Sequence, residues 1–443
     1  MGNSGSFLRI EERYIDTLVL VSILLPTLII YFYGIWRGNL VVGIDAPYYL
    51  MQVHNILHNG YMLYPDPPIT FYVLSIITYF IKDEIIAFAF GNALLSTLSV
   101  IPIYFLVKKI TNSRILAVVS ILYILCSANY IRMLGDFVKS QFSILFLGLF
   151  LLELYNRERK QTSRTLLLIL LILLTLLTHI LSFCMAIFIL FFYLIVVYGR
   201  GSSDKPALYT LVVIAILAII GFFMLPFYFS DLTRITGFIN RILNAKTLIV
   251  TSNKILPPTI QNCIIIFASF IYIIYSHKEK DLSNMTIFIP LVLLVIALSL
   301  PLNTGWNWRL LQISVIPASI IIGTILSSLQ DRTAILIVGL LILSTIAMGG
   351  INQYYMLKPT ITQAEYIDIV QMQKYINSSE IVVLHVHPIK HYWFEYLLKT
   401  KIYMRPPQES KIFYAIVPKD KIIKGTVIYI GRIYKLIQVI IQH

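Results

Sequence analysis

Gly43-Ile44-Asp45-Ala46-Pro47-Tyr48-Tyr49 opens the stretch that decides how this chain is read; it runs on through residues 50–57 and His58-Asn59-Gly60 to Tyr64-Pro65-Asp66-Pro67-Pro68. It carries a carboxylate at Asp45, two histidines and four tyrosines, where the flanking sequence is nearly all hydrocarbon. Upstream lies an apolar run at 15–36, long enough to cross a bilayer, which takes about 20 such residues. Downstream, residues 69–80 are apolar but too few to span, and they follow a double proline. That segment is expected to lie as a helix against the membrane surface. The rest of the chain is expected to be scaffold that holds this loop at a membrane surface.

Composition agrees. Of the 443 residues 58% are hydrophobic and only 13% charged, with mean hydropathy +0.81. A soluble domain has too little interior to hide that much apolar surface. The chain therefore reads as a polytopic α-helical membrane protein. Further spans are expected at 85–107, 115–126 running on toward Asn129, 142–155, 166–198, 207–229, 260–275, 285–300, 310–329 and 334–348. The 166–198 run is too long for one crossing and is divided by Thr178-His179, so it reads as two helices. That makes about eleven spans. The N-terminal run is too long for a signal sequence and is expected to be retained. Cys126, Cys184 and Cys263 sit in or beside apolar runs and form no CxxC pair, so they read as small core residues.

The net charge of +14 follows a topology rather than a nucleic-acid footprint. With the N-terminus in the cytoplasm, the basic loops at 108–114, 157–164, 200–205, 277–281 and 331–332 all face inward, which is the positive-inside pattern. The pattern holds only if 69–80 does not cross and 166–198 crosses twice. The opposite face then receives Asp45, Asp136, His179, the 230–258 loop, residues 303–309 and the C-terminus. From residue 353 to 443 the composition changes to short strand and helix patterns: helix over 360–375, strand over 381–385, helix over 388–398, and strands over 412–417, 426–430 and 436–441. The expected domains are a membrane domain at 1–352 and a small extracytoplasmic α/β domain at 353–443.

Six polar positions stand out besides Tyr48 and Tyr49. Asp45 would ordinarily be a solvated loop residue, but Gly43 and Pro47 fix the backbone on either side of it. Asp136 and Lys139 lie in Gly135-Asp136-Phe137-Val138-Lys139, three apart, so on one helix they would pair; with Arg132 they form a polar knot. The other reading gives Lys139 a phosphate and Asp136 a metal or a substrate hydroxyl. His179 sits at a turn, where a structural role is usual. Arg309, in Trp306-Asn307-Trp308-Arg309, is either an interfacial anchor or a fork for phosphate oxygens. No P-loop, HExxH or GxSxG pattern occurs.

These residues bring the chain close to a known family. The first loop Gly43-x-Asp45-x-Pro47-Tyr48-Tyr49, Gly60 after a short helix, and Pro65-x-Pro67-Pro68 before an apolar segment resemble the first external loop of the GT-C membrane glycosyltransferases. Gly135 to Lys139 resembles the archaeal branch of that superfamily, and Trp308-Arg309 followed by Ile316-Pro317 resembles its closing spans. The resemblance covers most of 15–348. It implies transfer of a hexose or pentose from a polyprenyl-phosphate donor to a hydroxyl at the outer surface, by a single inverting displacement. It also implies Asp45 as base or metal ligand, Lys139 and Arg309 as phosphate-binding cations, and Asp136 as support for the acceptor or a metal; Tyr48, Tyr49 and His179 are, with Asp136, the candidate substrate-binding groups. A Mg or Mn ion shared by Asp45 and Asp136 belongs to the same implication. The implied partners are the lipid-linked sugar and a lipid, glycan or protein acceptor. Two departures matter: the Trp-Trp-Asp-Tyr-Gly signature of oligosaccharyltransferases is absent, and so is the Asp-Glu pair of protein O-mannosyltransferases after Gly43. Two other classes remain open. A transporter or flippase of lipid-linked saccharides would show internal repeats and mid-span charges, and neither is seen. A noncatalytic assembly protein would tolerate loss of Asp45.

Overall fold

A computed structural model describes residues 4–224, 256–278, 284–300, 307–329, 331–377, 380–407 and 412–440. The expected 230–258 loop falls almost wholly outside these residues, as do residues 303–306. The chain opens with helix α1 (Ser4–Ile35). A two-stranded hairpin, Trp36–Arg37 against Leu40–Val41, turns the chain at its end. Its first strand begins at the end of the apolar run 15–36 and its second lies in the stretch expected as loop. Helix α2 (Ala46–Asn59) follows, with Pro47 in its first turn, where a missing N–H costs nothing. Gly60 closes it at φ +84, donating its N–H to Ile56 O at 2.9 Å. Helix α3 (Ile69–Ile81) starts straight after Pro68 and has 13 residues. At 1.5 Å per residue it is about 20 Å long, short of a bilayer core.

The spans pair up as their sequences dictate. Helices α4 (Glu84–Leu98) and α5 (Ile101–Thr111) together form one crossing, Glu84–Thr111. Asp83 caps α4 through Ile86 N–H at 2.9 Å. Helices α6 (Arg114–Leu125) and α7 (Ala128–Asp136) form a crossing bent by 50°. Ser127 causes the bend by capping α7 through the Tyr130 N–H at 3.1 Å. Helix α8 (Val138–Tyr155) follows after one residue, Phe137, whose backbone (φ −144, ψ 53) is not helical. Helices α9 (Gln161–Thr178) and α10 (Ile180–Gly199) part at His179, which is extended (φ −161, ψ 124). The division expected at Thr178-His179 is therefore present.

Among the described residues, eight helices are long and apolar enough to cross a membrane, and the bent pair makes a ninth. Lys205–Ile220 and Met285–Ser299 are apolar but shorter, and they fall where the remaining two spans were expected. The span Trp308–Leu326 is 89% buried and forms the centre. Glu12–Ile35 and Arg332–Met356 are 22% and 11% buried, and what they expose is Leu18, Leu25, Leu340, Leu341 and Ile351. Water does not tolerate such faces over whole helices, whereas lipid does. The chain is a multi-pass membrane protein.

Polar groups mark the two ends of the bundle. At one end Asp16 of α1 is held by Lys108 and, at 2.9 Å, by Arg114. Arg164 grips Asp204 at 2.7 Å. At the other end α1 delivers Gly43 to Pro359 as an isolated bridge, and the C-terminal residues pack there. The last long helix runs to Met356. Beyond it Gln363–Met372 and His391–Leu398 are helices. They accompany a five-stranded mixed sheet in the order Ile402–Tyr403, Val382–Leu384, Ile412–Pro418, Tyr434–Ile440, Thr426–Ile430. The two-residue strand Ile402–Tyr403 is too short to show a period-two pattern and was not expected.

Candidate active site

Two glycines build the site. Gly43 has φ +100, open to glycine but strained for other residues. A Cβ there would stand 1.8 Å from the Gly135 carbonyl oxygen. The first loop and the α7–α8 junction thus touch backbone to backbone. This contact lets the Ile44 N–H donate to Asp136 Oδ1 at 3.0 Å. The next residue, Asp45, occupies the N-cap position of α2 but makes no capping bond. Its carboxylate is not spent on the helix end, the usual use of aspartate at that position.

The charges around Asp45 come from four segments. Burial pushes its carboxyl up from 3.8 to about 6, and Asp136 pushes the same way; Arg309 and Lys139 pull it down, and Asp66 adds a smaller upward push. The co-location expected from sequence is therefore present: Asp45, Asp136, Lys139 and Arg309 share one electrostatic neighbourhood. The Arg309 guanidinium lies 5.0 Å from the Phe137 ring centre and 5.4 Å from that of Trp308. Arg132 lies 4.8 Å over Trp308, with its Nε 3.8 Å from Asp136 Oδ2. Stacking on aromatic faces holds both guanidinium groups in place.

Of the two readings of Asp136 and Lys139, an ion pair between them is not formed. Phe137 breaks the helix between them, so three-residue spacing no longer puts them on one face. Asp136 faces Arg132, while Lys139 Nζ pairs with Asp66 Oδ2. Asp66 is the residue that sequence reasoning missed as a site group. It also accepts from the Tyr48 hydroxyl at 3.0 Å. Its setting, Pro65-Asp66-Pro67-Pro68, was the available signal: an acid fixed between prolines has little freedom to seek solvent.

The tyrosines line up behind this. The Tyr49 hydroxyl accepts the Lys139 backbone N–H at 3.2 Å and is fully buried. Tyr48 packs 5.0 Å from the Tyr392 ring of the C-terminal region. Gln52 stitches the loop shut: its Nε2 donates to Tyr64 O at 2.8 Å and its Oε1 accepts from the N–H groups of Leu63 and Tyr64 at 2.8 and 3.1 Å. His179 lies 3.1 Å from Ser140 Oγ and 3.3 Å from Ser182 Oγ, and both Lys139 and Arg309 act on it electrostatically. It borders the cluster but is engaged with serines.

The residues fit a hard cation in a limited sense. Among the described residues no third His, Cys, Asp or Glu joins Asp45 and Asp136 in a metal-ligand group. Two carboxylates suit Mg²⁺ or Mn²⁺ that keeps waters and takes phosphate oxygens; they do not make a closed protein cage.

A helical membrane bundle with a first loop and a small C-terminal domain at one end is an architecture that solved membrane proteins share with this chain. Residues 65–224 match the dolichyl-phosphate-mannose-protein mannosyltransferase family. The Archaeoglobus fulgidus oligosaccharyltransferase, solved in complex with Zn and sulfate, is similar at TM-score 0.60 and 16% identity over 87% of this chain. The match spans 62% of that protein's length. ArnT from Cupriavidus metallidurans, solved bound to undecaprenyl phosphate, is similar at TM-score 0.64 and 11% identity, over 95% of this chain and 97% of its own. Its apo form matches at TM-score 0.62 and 12% identity. No curated protein matches the sequence.

Proposed function

We propose that this chain is an integral-membrane glycosyltransferase that moves a hexose or pentose from a polyprenyl-phosphate donor to a hydroxyl acceptor, with inversion. The observation that carries the reading is the uncapped Asp45 carboxyl, raised to about 6 and set within the fields of Arg309 and Lys139. A base tuned near neutrality beside two cations is what this displacement needs. The acceptor O–H gives its proton to Asp45 as its oxygen bonds to the anomeric carbon. The bond from that carbon to the phosphate oxygen breaks on the opposite face, and polyprenyl phosphate leaves with the electron pair. Arg309 and Lys139 offset the charge that gathers on the phosphate, with Asp66 holding Lys139 in place until donor arrives. Asp136 fixes the Ile44 N–H and so the position of Asp45; Tyr48, Tyr49 and His179 border the substrate space. A Mg²⁺ or Mn²⁺ ion at Asp45 and Asp136 would add further charge neutralisation at the phosphate.

Several observations support the sidedness. The basic loops 108–114 and 157–164 lie with Asp16 and Asp204, while Asp45 and the C-terminal domain lie at the opposite end. By the positive-inside rule this arrangement supports an N-terminus in the cytoplasm and a site outside. ArnT, seen with undecaprenyl phosphate, supports a lipid-linked donor.

The test is a panel of radiolabelled polyprenyl-phosphate sugars given to the purified chain. Wild type is expected to release label from at least one donor, and Asp45→Asn to insert normally but not turn over. Undiminished turnover in Asp45→Asn would sink the proposal.

A further inference from the structure

At the far end of α2 from Asp45, a second constellation is built around two histidines. His54 and His58 are one turn apart, and their ring centres stand 4.0 Å from each other. His54 Nδ1 meets Glu84 Oε1 at 2.6 Å, and His58 Nδ1 meets the His54 carbonyl oxygen at 2.8 Å. Each Nδ1 therefore carries the proton, since a carboxylate and a carbonyl only accept. That leaves the Nε2 lone pair of both rings unused by either bond, on neighbouring rings of one helix face. The other oxygen of Glu84 is fixed by the Tyr396 hydroxyl at 2.7 Å. Lys399 Nζ lies 3.3 Å from His54 Nδ1; with that nitrogen donating to Glu84 both groups are donors, so this approach is a close contact and not a hydrogen bond.

From this geometry we propose that His54 and His58 chelate a divalent transition-metal ion through their Nε2 atoms, with Glu84 as the carboxylate that orients His54. The pattern of an imidazole N–H donated to a carboxylate or carbonyl is the usual outer support of a metal-bound histidine. One ring nitrogen of each histidine and one oxygen of Glu84 lie within 4.8 Å of one another. His58 is exposed, so the remaining coordination positions open to water. Soft-to-borderline ions such as Cu²⁺, Ni²⁺ and Zn²⁺ suit imidazoles, whereas Mg²⁺ does not.

The site ties three parts together: α2, the start of α4 through Glu84, and the C-terminal domain through Tyr396. His54 lies nine positions beyond Asp45, about 13 Å along the helix. The metal is therefore structural to the first loop and separate from the transfer chemistry, and the inference does not rest on the glycosyltransferase reading.

The experiment uses the full chain in detergent, with any affinity tag removed and the protein stripped by chelator. Cu²⁺, Ni²⁺, Zn²⁺ and Mg²⁺ are titrated by calorimetry, and the Cu²⁺ complex is examined by electron paramagnetic resonance. The expected result is a saturable site that follows the order Cu²⁺ tightest and Mg²⁺ silent, with the spectral signature of two imidazole nitrogens. Glu84→Gln is expected to weaken binding roughly tenfold to a hundredfold. His58→Ala, at an exposed position, and His58→Gln, which keeps a polar side chain, are each expected to remove the two-nitrogen signal. An isotherm unchanged in both His58 variants would overturn the proposal, as would a wild-type chain that binds no Cu²⁺ or Zn²⁺ at roughly 0.1 mM free ion.

Discussion

Asp45→Asn probes the site through stability as well as activity. In the folded chain the Asp45 carboxyl is raised from 3.8 to about 6. That is about two pH units, equivalent to roughly 3 kcal/mol of preference for the protonated form. Because the folded value is the higher one, the ionised carboxylate opposes folding. The cost is absent below about pH 4, grows between the two values, and is complete above about pH 6. Asparagine keeps the size and cannot ionise. The variant is therefore expected to be more stable than wild type at pH 7.5, by at most roughly 3 kcal/mol, and equal to it near pH 4. The assay is thermal melting in detergent across that range, beside kcat/KM for the best donor. For wild type about a tenth of Asp45 is ionised at pH 5 and about nine tenths at pH 7. Turnover should fall accordingly on acidification, with Asp136→Asn moving the acid limb lower by removing a like charge. An Asp45→Asn variant that is less stable at pH 7.5, or a stability difference that ignores pH, would refute the picture of a buried, charge-crowded base. A wild-type kcat/KM that stays flat from pH 5 to 7 would refute the catalytic half alone.

Gly43→Ala places a methyl group 1.8 Å from the Gly135 carbonyl oxygen at φ +100. The backbone strain alone is about 1–2 kcal/mol, and the loop must move. Turnover is expected to drop more than about tenfold, because Asp45 leaves its place; kinetics of a variant that still inserts and elutes as wild type will show it. Gln52→Leu removes three hydrogen bonds to Leu63 and Tyr64 and a fourth to the Tyr48 hydroxyl, so a loss of about 4 kcal/mol is expected from melting curves. Arg309→Lys keeps the charge but loses the planar fork and the aromatic stacking. The expected change is a rise in donor KM larger than any fall in kcat, read from steady-state rates.

How much of this was legible in the sequence differs from element to element. Spans are legible because each is one continuous apolar run, and the break at His179 shows because polar residues interrupt a run too long for one crossing. Asp45 was legible because Gly43 and Pro47 frame it. The hairpin at 36–41 was not, since two-residue strands carry no periodicity. Lys139's partner was not either: spacing pointed to Asp136, but the non-helical Phe137 turned Lys139 away. Asp66 sits 73 positions from Lys139, and nothing local pairs them.

The sequence by itself determined that this chain lives in a membrane, which helices cross, and which end of the bundle gathers the unusual polar residues. Hydropathy and charge placement act on each segment separately, so they can be read segment by segment. Tertiary structure alone decided that Gly43 and Gly135 meet, that Arg309 arrives from the other half of the chain, and that burial with a neighbouring acid tunes Asp45. Those are properties of packing between segments, set by which backbones can approach and how much water is shut out, and no single stretch of sequence contains them.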